Sequence, residues 1–206
     1  MSLPDDVRAA CARVAARARH VSIVEEAIAP YARTLGEASP PAPDLEGGDL
    51  EARAAFSITL NAVNFGSGWF PTLRKPPGLS GFRTVEAGLR ARGPWPAPEL
   101  AEIELAEVAA AFGQDPGHEL MALFTRALHE LGARVSADHD GSFAALAHAG
   151  QGSAAALAAL LAAWPMWKDT SSHEGEPVPF FKRAQIAAAD LHLTGIAPAR
   201  DVERLT

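Results

Sequence analysis

Alanine is the residue that most limits how this chain can fold. The 206 residues include 44 alanines, against 24 valines, isoleucines and threonines combined. Alanine has the highest intrinsic helix propensity, whereas β-branched residues favour strands. The sequence shows no internal repeat and no alternation of strand and helix patterns. We therefore expect an all-α fold, with residues 1–206 forming a single helical domain.

Glycine, proline and capping residues divide the chain into separate helices. Ser153, for example, precedes an alanine-rich segment and is a favourable N-cap. Two of the expected helices form a hairpin with a turn at residues 113–115. The expected helices cover residues 5–19, 23–35 (with Ser22 as its cap), 49–63, 84–92, 98–112, 116–132, 141–148, 154–164 and 180–193.

Charge and composition exclude several classes of function. The chain has 18 basic and 25 acidic residues, a formal net charge of −7, which disfavours binding to duplex nucleic acid. Cys11 is the single cysteine, and the seven histidines lack metal-ligand spacing, so we expect no metal and no cofactor. Because no apolar run approaches about 20 residues and no signal peptide opens the chain, we expect a cytoplasmic protein without a membrane partner.

A loop with three aromatic residues follows the expected helix at 49–63. Phe65, Trp69 and Phe70 alternate there with glycines, which allow a close backbone approach. Such a loop could form the wall of a pocket that holds a flat heterocycle between aromatic rings. The same aromatic residues could instead fill the core, and composition alone does not decide between the two.

Two cations stand at the start of the last expected helix. Lys182 and Arg183 lie where the helix dipole favours negative charge, which suggests that an anion such as a phosphate binds there. The alternative is an internal ion pair between one of these cations and Glu174, Glu176 or Asp190. Asp190 is seven residues after Arg183 and about 20° off the same helix face, so such a pair could form easily. Spacing alone favours the ion pair.

Several segments, in the same order along the chain, resemble the queuosine salvage family of queuosine 5′-phosphate N-glycosylases. The most specific is Phe-Phe-Lys-Arg-Ala-Gln-Ile at 180–186, followed by Ala-Ala-Asp-Leu at 188–191. Weaker similarities occur at residues 21–26, 61–65, 141–143, 152–154 and 167–169. The resemblance covers nearly the whole chain and implies a helical fold similar to that of DNA glycosylases.

The resemblance implies hydrolysis of the bond between a ribose 5′-phosphate and a modified purine-like base, which releases the base for salvage in tRNA modification. The implied partner is a nucleoside 5′-monophosphate, with Lys182 at the phosphate and the loop aromatics at the base. The expected substrate-binding residues are Asn61, Asn64, Phe65, Trp69, Phe70, Phe181, Lys182, Arg183, Gln185 and Asp190.

Three features depart from the family pattern. Phe181 replaces a tyrosine, and Asn61 replaces an aspartate that would meet a cationic amine on the base. An amide carries no charge, so we expect a preference for a neutral relative of the base. The chain also ends before the Asp-Tyr-Arg-like segment that carries the family's catalytic carboxylate. We therefore expect that it lacks its C-terminal part, and the catalytic residue stays unknown.

Two other functions are weighed against the glycosidase. A helical nucleotide-binding protein without catalysis would have the binding pocket but would not cleave the bond between base and ribose. A DNA glycosylase is disfavoured because the chain is acidic and has no basic stripe.

Overall fold

The computed structural model of the protein describes residues 3–35 and 48–205, and the fold is mainly helical, as expected. Short 3-10 helices lie at Phe70–Thr72, Pro165–Trp167 and Val202–Leu205. The α-helices are α1 Leu3–Ala16, α2 Glu25–Thr34, α3 Leu50–Ala62, α4 Gly81–Arg92, α5 Ala97–Glu102, α6 Leu105–Ala111, α7 Glu119–Asp138, α8 Phe143–His148, α9 Ala154–Ala162 and α10 Lys182–Leu193.

The described residues group into two compact units. The first contains α1, α2 and a β-hairpin, and the second contains α3 to α10 with the three 3-10 helices. The expectation of a single domain stays a prediction.

The β-hairpin of the first unit was not expected from the sequence. Strands β1 Asp169–His173 and β2 Glu176–Phe180 pair antiparallel, and Glu174 and Gly175 turn between them with positive φ. Arg17, the residue directly after α1, binds the Glu176 carboxylate at 3.1 Å. Polar residues fill β1 and two prolines interrupt β2, so neither strand shows the apolar alternation that marks a strand in a sequence.

In the second unit, α7 forms the centre of the core. Apolar residues along one face are fully buried and pack against α5 and α6; they are Leu120, Met121, Phe124, Leu128, Leu131 and Val135. Gly132 lies in the middle of α7, where a Cβ atom would come within 2.3 Å of the Ala101 backbone nitrogen. The glycine therefore allows α5 and α7 to approach at backbone contact. It does not end the helix, which continues past the expected limit at residue 132.

The segment expected as one helix at 98–112 is divided into α5 and α6. Ile103 between them has an extended backbone, with φ −61° and ψ 133°, and its side chain is buried. The Ile103 carbonyl oxygen lies 2.6 Å from the Nε2 atom of His129 on α7. Core packing and this hydrogen bond set the break, which no glycine or proline marks in the sequence.

Two helix N-termini are capped by carboxylates of residues that lie far away in the sequence. Glu51 on α3 accepts hydrogen bonds from the backbone N–H of Phe143 and the Ser142 hydroxyl at the start of α8. Asp201 accepts from the Ser153 hydroxyl and the Ala154 N–H, both at 2.7 Å, at the start of α9. Ser153 is thus the N-cap, as expected, and Asp201 supports it with a negative charge at the positive end of the helix.

We predict that Asp201→Asn lowers the free energy of unfolding by about 1 kcal/mol near neutral pH, the usual size of an N-cap contribution. The hydrogen bond from the Ser153 hydroxyl holds the pKa of Asp201 below its ordinary value, and the Ala154 N–H acts in the same direction. A carboxyl with a lowered folded pKa stabilises the fold above its unfolded pKa and loses this contribution as the pH falls through the folded value. Because asparagine resembles the protonated acid, the difference between the two proteins should begin to shrink as the pH falls to about 4, the ordinary pKa of aspartate, and should disappear only below the lower pKa of the folded protein.

Denaturant unfolding of both proteins across a pH series measures this difference. Asp138→Asn is the control, since Asp138 is exposed and lies 3.7 Å from Arg134 in a surface ion pair. A difference for Asp201→Asn that is constant from neutral to acid pH would show that its charge does not act on α9.

Candidate functional site

Lys182 and Arg183 occupy very different environments at the start of α10. The Lys182 side chain is exposed, and within residues 3–35 and 48–205 its ammonium group has no hydrogen-bond or ion-pair partner. Arg183 is only 7% exposed. The two neighbouring cations therefore have separate roles, one facing solvent and one facing the core.

Arg183 joins α10 to the end of α3. Its Nη1 atom donates to the Ala62 carbonyl oxygen at 2.9 Å, and its Nη2 atom donates to the Met166 carbonyl oxygen. The guanidinium carbon lies 4.8 Å from the centre of the Phe65 ring and 5.8 Å from that of Trp167. Ala62 is the last residue of α3, and Met166 lies in the 3-10 helix Pro165–Trp167, so both carbonyls are at helix ends, where backbone acceptors lack partners within the helix. The buried guanidinium thus supplies donors that the fold itself needs.

A polar pair connects α3 and α10 near this contact. The Asn61 Nδ2 atom donates to the Asp190 Oδ2 atom at 3.0 Å and to the Ser57 carbonyl oxygen at the same distance. Asn61 is 2% exposed, while Asp190 is half-buried. Burial raises the pKa of the Asp190 carboxyl above its ordinary value, and the hydrogen bond from Asn61 opposes that shift. The pair therefore holds a carboxyl group whose charged form is incompletely solvated.

The aromatic residues of the loop after α3 contact different helices. Phe65 packs edge-to-face on Phe124 of α7, with 5.1 Å between ring centres. The Trp69 indole N–H donates to the Glu119 carboxylate at 3.1 Å, at the start of α7. Phe70 lies against Gly81 of α4, where a Cβ atom would come within 2.4 Å of its ring. Phe65 thus contacts Arg183, whereas Trp69 and Phe70 are held by other helices.

The remaining expected site residues are placed as follows. The Gln185 amide donates to the Leu205 carbonyl oxygen and so holds the last 3-10 helix against α10. Phe181 is buried and is the N-cap residue of α10. Asn64 is half-buried directly after α3. The expected site residues brought together at the α3–α10 junction are therefore Asn61, Phe65, Arg183 and Asp190.

The chemistry available at this junction is recognition of charge and of flat surfaces. It offers an aromatic ring beneath a guanidinium, a half-buried carboxyl and, at the start of α10, an exposed ammonium group. Among the described residues, no group of three or more His, Cys, Asp or Glu side chains could hold a metal ion. No helix in the described part of the chain is long and apolar enough to cross a membrane.

Two side-chain hydrogen bonds of the candidate site were not predicted from the sequence. Asp190 was considered as a partner of Arg183, but its hydrogen bond comes from Asn61, 129 residues earlier. Glu119 was not considered at all, although it binds the Trp69 indole. Neither pair has a local sequence signal, because each joins segments far apart in the chain.

A cavity of about 510 Å³ lies in the second unit outside the α3–α10 junction. The residues that line it include Arg74, Lys75, Gly88 and Phe112. Both cations already bind protein groups. Arg74 donates to the Asp115 carboxylate at 3.4 Å, and Lys75 donates to the Phe70 carbonyl oxygen at 2.9 Å. This cavity contains none of the expected substrate-binding residues.

Comparison with known proteins gives two matches. A family model described as queuosine salvage protein matches residues 84–206. A curated protein from Sphaerobacter thermophilus, named queuosine 5′-phosphate N-glycosylase/hydrolase, is 30% identical over 194 residues. The alignment covers 87% of this chain and 60% of that relative, so the chain spans about 60% of the relative's length.

Proposed function

Because the chain belongs to the queuosine salvage protein family, we propose that it takes part in hydrolysis of queuosine 5′-phosphate or a related modified nucleoside 5′-monophosphate. In this reaction water adds to the anomeric carbon of the ribose phosphate, and the base leaves with a proton. The 30% identity to the Sphaerobacter thermophilus protein named queuosine 5′-phosphate N-glycosylase/hydrolase supports the same substrate class. The cytoplasmic setting expected from composition stays a prediction.

The observation that carries this proposal is the exposed Lys182 at the start of α10. The N-cap residue of the helix, Phe181, makes no side-chain hydrogen bond to the first backbone N–H groups. Uncapped amides and an adjacent ammonium group are the donors that bind phosphate at helix N-termini. Arg183 does not compete for this role, since its guanidinium binds backbone carbonyls inside the protein.

The base would be recognised at the other end of the same junction. Phe65 offers an aromatic face next to Arg183. The Asn61–Asp190 pair offers polar atoms, and Asp190 lies more than one helix turn after Arg183 on α10. Cleavage of an N-glycosyl bond develops positive charge on the sugar, which requires a carboxylate near the anomeric carbon. We assign that carboxylate to no residue of this chain.

Lys182→Ala is expected to weaken binding of queuosine 5′-phosphate by about tenfold to a hundredfold, the loss expected for one hydrogen bond to a charged group. Binding of the nucleoside queuosine, which lacks the phosphate, should change by less than about threefold. Isothermal titration calorimetry with both ligands measures the two affinities. Equal losses for nucleotide and nucleoside would contradict the phosphate role.

Lys168→Ala is the matched control, because Lys168 is also an exposed lysine of the second unit but lies outside α10. It should leave both affinities unchanged. An assay for released base, run on the same protein, separates the two candidate functions. Release supports the glycosidase, whereas tight nucleotide binding without release supports the nucleotide-binding protein that lacks catalysis.

A further inference from the structure

An apolar groove is open on the surface of the first unit. It has a volume of about 680 Å³, and all of its lining residues belong to that unit. The side chains of Cys11 and Ala15, which α1 contributes, are small and exposed. The residues that line the groove include Cys11, Val14, Ala15, Ile23, Val178 and Phe180. Exposed apolar surface of this kind is typical of a contact between proteins.

The helix that follows the groove in the chain, α2, carries an apolar stripe that is not buried. The stripe runs from the N-cap Val24 through Ile28 and Tyr31 to the C-cap Leu35, at spacings that place these residues on one face of the helix. Each of the four is more than half exposed, and no residue of α2 is buried. Because short helices are stabilised mainly by packing of an amphipathic face, this stripe is a surface that favours a partner.

The groove and the α2 stripe are complementary in size. On its α1 side the groove extends from Cys11 to Ala18, and the largest side chains of the stripe extend from Ile28 to Leu35. Each distance is seven residues, about 10 Å along a helix. Large side chains on one helix can pack closely against small ones on another. The stripe does not fill the groove of its own chain, since its residues are exposed.

The two surfaces are also complementary in charge. Three arginines and two glutamates form ion pairs beside the C-terminal end of α1, so this cluster has one positive charge in excess. Its members are Arg13, Arg17, Arg19, Glu174 and Glu176. By contrast, α2 begins with two adjacent carboxylates, Glu25 and Glu26. An α2 helix that lies antiparallel to α1 of another copy would bring this acidic start to the basic cluster.

We propose that two copies of this chain form a symmetric dimer in which the α2 stripe of each copy occupies the groove of the other. A two-fold axis makes the same contact twice, so both grooves and both stripes are covered. The partner that the surface fits is therefore a second copy of the chain. This inference concerns the first unit alone and does not depend on the proposed function.

Sedimentation velocity over about a hundredfold range of protein concentration tests the dimer. We expect the mass of two chains at the highest concentrations, whereas Ile28→Glu should keep the mass of one chain throughout. Ile28 is 52% exposed, so this substitution should leave the fold intact, which circular dichroism checks. Leu79→Glu is the matched control, because Leu79 is a partly exposed apolar residue of the second unit. It should dimerise as the unchanged protein does.

Cys11 reports whether the groove itself forms the contact. It is the single cysteine of the chain and is exposed. Dimerisation should slow its alkylation by iodoacetamide by about tenfold or more, since the α2 stripe of the second copy covers it. In Ile28→Glu the rate should stay the same at low and high protein concentration. The mass of one chain at every concentration, a dimer with unprotected Cys11, or a dimer of Ile28→Glu would overturn the inference.

Discussion

Arg183→Ala is expected to lower the free energy of unfolding by about 3–5 kcal/mol, because two buried hydrogen bonds from a charged donor are lost. The variant would leave the Ala62 and Met166 carbonyl oxygens without their donor and would remove the cation from the Phe65 and Trp167 rings. Each hydrogen bond to a charged donor contributes about 1.5–3 kcal/mol, so two of them account for most of the loss. Chemical denaturation monitored by circular dichroism measures the effect.

Lys182→Ala is the matched control, because it removes the neighbouring cation from the exposed side of the same helix turn. Its effect on stability should stay within about 0.5 kcal/mol, as is usual for surface substitutions. The loss in free energy of unfolding for Arg183→Lys should lie between those for Arg183→Ala and Lys182→Ala. The reason is that a single ammonium group can donate to one of the two carbonyls more readily than to both. A loss below about 1 kcal/mol for Arg183→Ala would show that α3 and α10 do not depend on this contact.

Gly132→Ala is expected to destabilise the protein by about 2–4 kcal/mol, although alanine is the better helix former by about 1 kcal/mol. The added methyl group would meet the Ala101 nitrogen at 2.3 Å, the Ala97 carbonyl oxygen at 2.6 Å and the Leu100 carbonyl carbon at 2.7 Å. All three are backbone atoms of the α5 region, which can move only if the whole helix moves away from α7. The midpoint of thermal unfolding should fall accordingly.

Gly68→Ala provides the control for replacing a glycine. A Cβ atom at Gly68 would meet nothing within 4 Å, and its backbone does not require a positive φ. This variant should be neutral or stabilising by up to about 1 kcal/mol, because it lowers the entropy of the unfolded chain. If Gly132→Ala behaved in the same way, the close contact between α5 and α7 would not limit stability.

The helices could be predicted because their signals are local. Alanine content, the Ser153 cap and the glycine and proline stops lie within a few residues of the ends that they mark. The hairpin at Asp169–Phe180 could not be predicted, because its prolines and polar residues lack the apolar alternation that is typical of paired strands. The break at Ile103 also has no local signal, because a buried side chain and a hydrogen bond to His129 set it.

The candidate site shows the same limit: features with a local signal could be predicted, and contacts between distant segments could not. The sequence indicates that two cations start α10, but burial alone distinguishes the exposed Lys182 from the enclosed Arg183. Helical spacing makes an Arg183–Asp190 pair plausible, whereas packing places the amide of Asn61 against Asp190. The residue types of the candidate site are thus visible in the sequence, and their division into buried and exposed side chains is a property of the packed helices.

The two remote caps also give the chain an order of assembly during synthesis. Glu51 precedes the α8 residues that it caps by 91 to 93 positions, so it has already been made when α8 emerges. Asp201 follows Ser153 by 48 positions, so the start of α9 acquires this partner only after residue 201 has been added. Since a chain grows from its N-terminus, α8 can be completed as it appears, whereas α9 must wait. A ribosome halted shortly before residue 201 would therefore hold a chain in which α8 is capped by its remote carboxylate and α9 is not.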